Sequence, residues 1–145
     1  MVELFSEPIV AVLQVGHPLA EGGDSLSIAE LAEEPFVFFP RSFGTGLHAK
    51  LMELSRQAGF TPAIAQEAGE AMTIIGLVAA GLGVSILPAS FRRTRVDGVV
   101  YRTLSDPGAT TSVWLVRRRN EGSPLAHSFI DLVTREVAMM HSLAP

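Results

Sequence analysis

The chain has 145 residues, the size of one ordinary domain, and 48% of them are hydrophobic, which is enough to build a core. Only 18% are charged and no low-complexity tract occurs, which excludes disorder as the main state. A net charge of -4 and the absence of cysteine exclude a basic nucleic-acid face, disulfides, thiolate metal sites and a cysteine nucleophile.

Residues 1–4 (MVEL) lack the basic and apolar runs of a secretory leader, so we expect a cytoplasmic protein. The longest apolar stretch, residues 74–82, is far short of the ~20 residues a membrane helix needs, so no membrane partner is expected.

Residues 9–15 (IVAVLQV) are apolar and β-branched and read as a buried strand. Gly16-His17-Pro18 ends it. Ser25 or Ser27 can cap a short helix over residues 28–34, with Glu30 three residues after Ser27 as in a capping box, and Pro35 stops it. Residues 36–39 form a second strand. Pro40 and Gly44 break the chain before a helix over residues 45–58, where Leu47, Leu51 and Leu54 recur on one face and Gly59 follows as the stop.

A third strand covers residues 62–66. The helix expected over residues 70–80 is apolar almost all round, which predicts a buried helix at the centre of a lobe, with Leu77 in the core. Gly81 and Gly83 turn it into a fourth strand over residues 84–87. A fifth strand spans residues 99–104 and a sixth residues 112–117. Ser123 and Pro124 then open a last helix reaching about residue 140, with Leu125, Phe129, Leu132, Val133 and Val137 on its apolar face. Strands alternating with helices indicate an α/β fold with a largely parallel sheet.

Catalytic patterns fail one by one. His17, His48, His127 and His141 have neither i, i+4 partners nor a His-Glu-x-x-His setting, so no metal site and no cofactor is expected. No Gly-x-Ser-x-Gly elbow occurs. Ser42-Phe43-Gly44-Thr45-Gly46 lacks the Gly-Lys-Ser/Thr ending of a phosphate loop. Residues 76–83 (GLVAAGLG) lead from helix to strand, the reverse of a dinucleotide turn. The arginines at 92, 93 and 95 and at 117, 118 and 119 read as solvated loop ends, with an interface to another part of a larger protein as the alternative. No enzyme is expected.

One kind of place does carry chemistry. Arg41, Ser42, Phe43, Gly44 and Thr45 lie between a strand and the start of a helix, and so do Gly69, Glu70, Met72 and Thr73. Ligands of open α/β sheets bind outside the carboxyl ends of strands, and a helix start offers N–H groups and a positive dipole end to an anion. Helix capping accounts for the same hydroxyls equally well.

Glu7-Pro8-Ile9-Val10-Ala11-Val12-Leu13 with His17-Pro18-Leu19-Ala20 resembles the middle of LysR-type regulators. Leu31-Ala32-Glu33-Glu34-Pro35-Phe36-Val37, Ala58-Gly59-Phe60-Thr61-Pro62 and the run from Leu77 through Gly83 and Val84 to Leu87-Pro88 continue the resemblance, in order and with matching gaps. It implies a type II periplasmic-binding-protein-like fold of two lobes around an effector cleft. Residues 15–104 would be the complete second lobe. Residues 1–14 and 105–145 would be the crossover strands plus the C-terminal strand and helix of the first lobe. The family's DNA-binding helix-turn-helix, its linker helix and most of its first lobe have no counterpart in the chain.

The function this implies is effector sensing for transcription control, with a small anionic metabolite as partner and no nucleic acid bound through this chain. A homodimer or higher homo-oligomer is expected, because the last helix would expose Phe129, Leu132 and Val133. The alternative is a fragment of a periplasmic-type solute-binding protein, against which the missing leader and the His-Pro-Leu-Ala segment speak.

Overall fold

The computed structural model describes residues 1–43, 46–120 and 122–142. Its strands are β1 (Val2–Gln14), β2 (Ser25–Leu26), β3 (Pro35–Phe38), β4 (Ala63–Glu67), β5 (Ser85–Pro88), β6 (Val99–Leu104) and β7 (Thr110–Leu115). Its helices are α1 (Gly46–Gln57), α2 (Ala71–Ala79) and α3 (Pro124–Ser142), with 3-10 turns at Ile28–Leu31, Arg41–Phe43 and Ala89–Arg93. The chain divides into two compact units, Glu7–Thr111 and the combination of Met1–Ser6 with Ser112–Pro145.

In the Glu7–Thr111 unit, β1 lies between β5 and β6 and runs antiparallel to both. β2 continues the sheet parallel to β6. β3 and β4 pair in parallel, and a parallel bridge between Phe36 and Val84 joins them to the approach to β5. Every other strand of the unit therefore runs one way, and β1 runs against them. Strand–helix alternation fixes only the direction of successive strands, such as β3–α1–β4. It carries no information about a strand whose neighbours, β5 and β6, come 70 or more residues later, and so the sheet is mixed rather than simply parallel.

The core is built around β1, whose residues from Ile9 to Leu13 are wholly buried. Phe36, Val37 and Phe38 from β3, Leu51 and Leu54 from α1, and Ile86 and Leu87 from β5 join it. The central position expected for α2 is corrected. Ile74, Ile75 and Val78 are buried, Leu77 is only partly covered, and Met72, Thr73, Gly76 and Ala80 face solvent. Composition misleads here because Gly76, Ala79 and Ala80 raise the helix's apolar character without adding much area to bury.

Local signals translate directly. The Ser27–Glu30 capping box forms on both sides, although the helix it opens is a single 3-10 turn, Ile28–Leu31. Gly59 ends α1 with φ +85°, a conformation that side chains rarely adopt. At Gly83 a Cβ would sit 2.3 Å from the Pro35 carbonyl oxygen. Glycine there lets the Val84 N–H donate to that oxygen at 2.8 Å.

Arg102, inside β6, escaped the sequence reading. It is 8% exposed and donates to the carbonyls of Leu19 (2.9 Å), Gly23 (2.6 Å) and Ser25 (2.6 Å). One planar guanidinium thereby satisfies two carbonyls of the loop before β2 and one at the first residue of β2. His17 closes the start of the same loop. Its Nδ1 accepts from the Leu19 N–H at 3.0 Å, and its Nε2 lies 3.2 Å from the Glu34 carboxylate.

In the other unit, β7 pairs with β1, and α3 follows. None of its described residues is buried. The expected apolar face of α3 divides: Val133 and Val137 are half-buried, whereas Leu125 is 82%, Phe129 57% and Leu132 46% exposed.

Candidate functional site

The site expected from the sequence depends on two strand ends being neighbours, and the β3–β4 pairing supplies that. Phe38 pairs with Glu67 at the carboxyl ends of the two strands, and the Ala68 N–H adds one further bond to the Phe38 carbonyl at 3.0 Å. From there one chain turns through Arg41–Phe43 toward α1, and the other passes Gly69 and Glu70 into α2.

Phe43 and Gly69 meet. A Cβ placed on Gly69 would lie 3.2 Å from two carbons of the Phe43 ring, so the ring rests on the glycine backbone. The two predicted segments thus form one surface. Arg41, Ser42, Phe43, Glu70, Met72 and Thr73 are exposed on it, and Gly69 is partly covered. Gly44 and Thr45, which complete the predicted set, lie outside the described residues.

Glu70 is the N-cap of α2, with extended backbone and no side-chain cap bond. The first bond inside α2 is Ile74 N–H to the Glu70 carbonyl, 3.1 Å, so the N–H groups of Ala71, Met72 and Thr73 precede the helical ladder. The α2 start supplies donors and a positive dipole end, Arg41 adds a full positive charge, and Phe43 and Met72 add apolar area. This combination suits a small anion with an apolar body. The Glu70 carboxylate opposes it in charge and sets a limit on how negative a ligand can be.

His48, in the first turn of α1, packs near the end of β3: its ring centroid lies 6.2 Å from that of Phe38. A different concavity, lined by Met52, Arg56, Gly59, Phe60, Thr61 and Pro62, opens where the chain enters β4. It lies at the amino end of that strand, away from the end where open sheets bind ligands. Among the described residues, no three His, Cys, Asp or Glu side chains gather as a metal site would need, and no helix is long and apolar enough to cross a membrane.

The LysR substrate binding domain model matches residues 1–138. The HTH-type transcriptional regulator YnfL of Escherichia coli K12 is 48% identical over 124 residues, covering 85% of this chain and 41% of that protein. The HTH-type transcriptional regulator CatR of Pseudomonas putida is 34% identical over 133 residues, 92% of this chain and 45% of its own. Among solved structures, the BenM effector binding domain with its effector benzoate superposes with TM-score 0.81 at 26% identity, covering 99% of this chain and 65% of that one. The effector binding domain of QuiR in complex with shikimate gives TM-score 0.83 at 25% identity, covering 95% and 65%.

The fold is that of LysR effector-binding domains, which resemble type II periplasmic binding proteins, and the chain belongs to the LysR substrate binding domain family. It spans less than half the length of the curated relatives named above, which are transcriptional regulators.

Proposed function

We propose that this chain is the effector-sensing part of a LysR-type transcription regulator, taking a small carboxylate through Arg41, Ser42, Phe43, Gly44, Thr45, Gly69, Glu70, Met72 and Thr73. The observation that carries the reading is the Phe43 ring resting on Gly69, which joins the two strand ends into one wall. Benzoate and shikimate, named with the BenM and QuiR domains, are small carboxylates and support the ligand class.

In this reading residues 15–104 are the second lobe, and residues 1–14 and 105–145 are the crossovers and part of the first. The ligand biases a helix-turn-helix carried elsewhere in the regulator, the chain does no catalysis, and the protein works in the cytoplasm where the DNA is. Copies associate through the exposed face of α3. The regulators among the relatives favour this over a periplasmic solute carrier.

One wall of a cleft binds weakly, about millimolar, equivalent to about 4 kcal/mol. Titration with benzoate and with short aliphatic carboxylates, followed by amide NMR, should shift the amides of residues 41–45 and 69–73. Arg41→Ala should weaken that binding about tenfold and Thr45→Val should weaken it measurably. Shifts that cluster elsewhere, or binding untouched by either substitution, would sink the assignment.

A further inference from the structure

The chain passes between its two units twice, at Ser6/Glu7 and at Thr111/Ser112. Beside each passage a carboxylate reaches across the fold to a backbone N–H and a hydroxyl. Glu7, the first residue of the larger unit, accepts from the Ser90 N–H at 2.7 Å and from the Ser90 Oγ at 3.2 Å. Ser90 stands in the 3-10 turn after β5, 83 residues away in sequence.

On the return passage, Asp106 accepts from the Ile28 N–H at 2.7 Å and from the Ser27 Oγ at 3.1 Å. Its own carbonyl accepts from the Ala109 N–H at 3.1 Å, and the Ala109 carbonyl accepts from the Ile9 N–H at 2.9 Å. Ala109 is 5% exposed. Both crossings are therefore fastened to the same unit, each by a charged acceptor, and charge-assisted bonds to backbone N–H are among the stronger hydrogen bonds a protein makes.

We infer that Glu7 and Asp106 are positioning residues that confine bending between the two units to the few residues outside them, so that the Glu7–Thr111 unit moves as one rigid body. Without these anchors, strain at a crossing would run into β1 on one side and into the turn after β6 on the other. The inference holds whichever molecule the domain senses.

The absence of cysteine makes the test direct. Cysteines placed at Gln57 and Ser128, one exposed site in each unit, take spin labels uniquely, and the width of their distance distribution reports relative motion. Hydrogen exchange reports the anchors themselves. In Glu7→Ala with Asp106→Ala, the Ser90 and Ile28 amides should exchange about tenfold faster and the label distribution should broaden. Amides in the middle of β1, β5 and β6 should keep their protection. Glu7→Gln with Asp106→Asn, which keeps one oxygen acceptor at each place, should recover most of the parental width.

An unchanged distribution overturns the inference, whether or not the Ser90 and Ile28 amides speed up. A broadened distribution accompanied by faster exchange throughout β1, β5 and β6 overturns it as well, because the unit itself would then have loosened.

Discussion

The two units are made from one chain but are built differently. Every buried hydrophobic residue among those described, from Ile9 to Ala109, belongs to the Glu7–Thr111 unit. The other unit has a strand pair and a 19-residue helix, yet no described residue in it is buried. Regular hydrogen bonding alone does not make a core: the helix of the second unit has half-covered Ile130, Val133 and Val137 and leaves Leu125, Phe129 and Leu132 in water. One unit has a buried core, and the other has secondary structure without a buried residue among those described.

The largest expected contrast comes from paired truncations. Ile74→Ala, at a wholly buried position, should cost about 3 kcal/mol in urea unfolding, and Leu132→Ala, 46% exposed, should change stability by less than about 0.5 kcal/mol. Equal effects would break the comparison. Gly83→Ala comes next, at about 2 kcal/mol, because its Cβ would meet the Pro35 carbonyl oxygen, a backbone atom that cannot swing aside. Thermal melting of that variant should show the loss in the larger unit only.

Phe129→Ser with Leu132→Ser should leave the unfolding of the larger unit unchanged while shifting sedimentation at high micromolar concentration toward monomer. A parent chain that is already monomeric there would remove the reason for the substitution. The smallest effect is at alkaline pH. Burial raises the Tyr101 phenol above its ordinary value, so the unfolded chain ionises first. Stability is intact below about pH 10 and declines as pH climbs from there toward the folded value, a decline that Tyr101→Phe should lessen.

Much of this was legible in the amino-acid order, because punctuation and periodicity are local. Gly59, Pro35 and the Ser27–Glu30 pair mark ends that the fold uses, and β6 occupies the expected residues. What the sequence could not convey was non-local. β1 runs against its neighbours because they come from β5 and β6, and α2 is one-sided because its small residues weigh in composition but not in buried area. For the candidate site, the two segments were readable as strand-to-helix turns. Their meeting at Phe43 and Gly69 was not, since nothing local in an aromatic or a glycine 26 residues later announces contact. Arg102 stands alone in its strand, outside both arginine clusters. A single arginine among Val99, Val100 and Tyr101 was the available signal.

The Arg102 guanidinium also bears on where this fold can tolerate change in length. Loops on protein surfaces usually accept insertions at little cost, since closing a longer loop takes only a few tenths of a kcal/mol more. The segment from Leu19 to Ser25 is different: its three carbonyls are fixed at 2.6 to 2.9 Å from one rigid, planar group. An extra residue between Gly22 and Gly23 would pull at least one carbonyl out of register and leave a mostly buried cation short of acceptors. In this unit the loop is a component of fixed gauge, and its variation is confined to side chains that point away from the arginine.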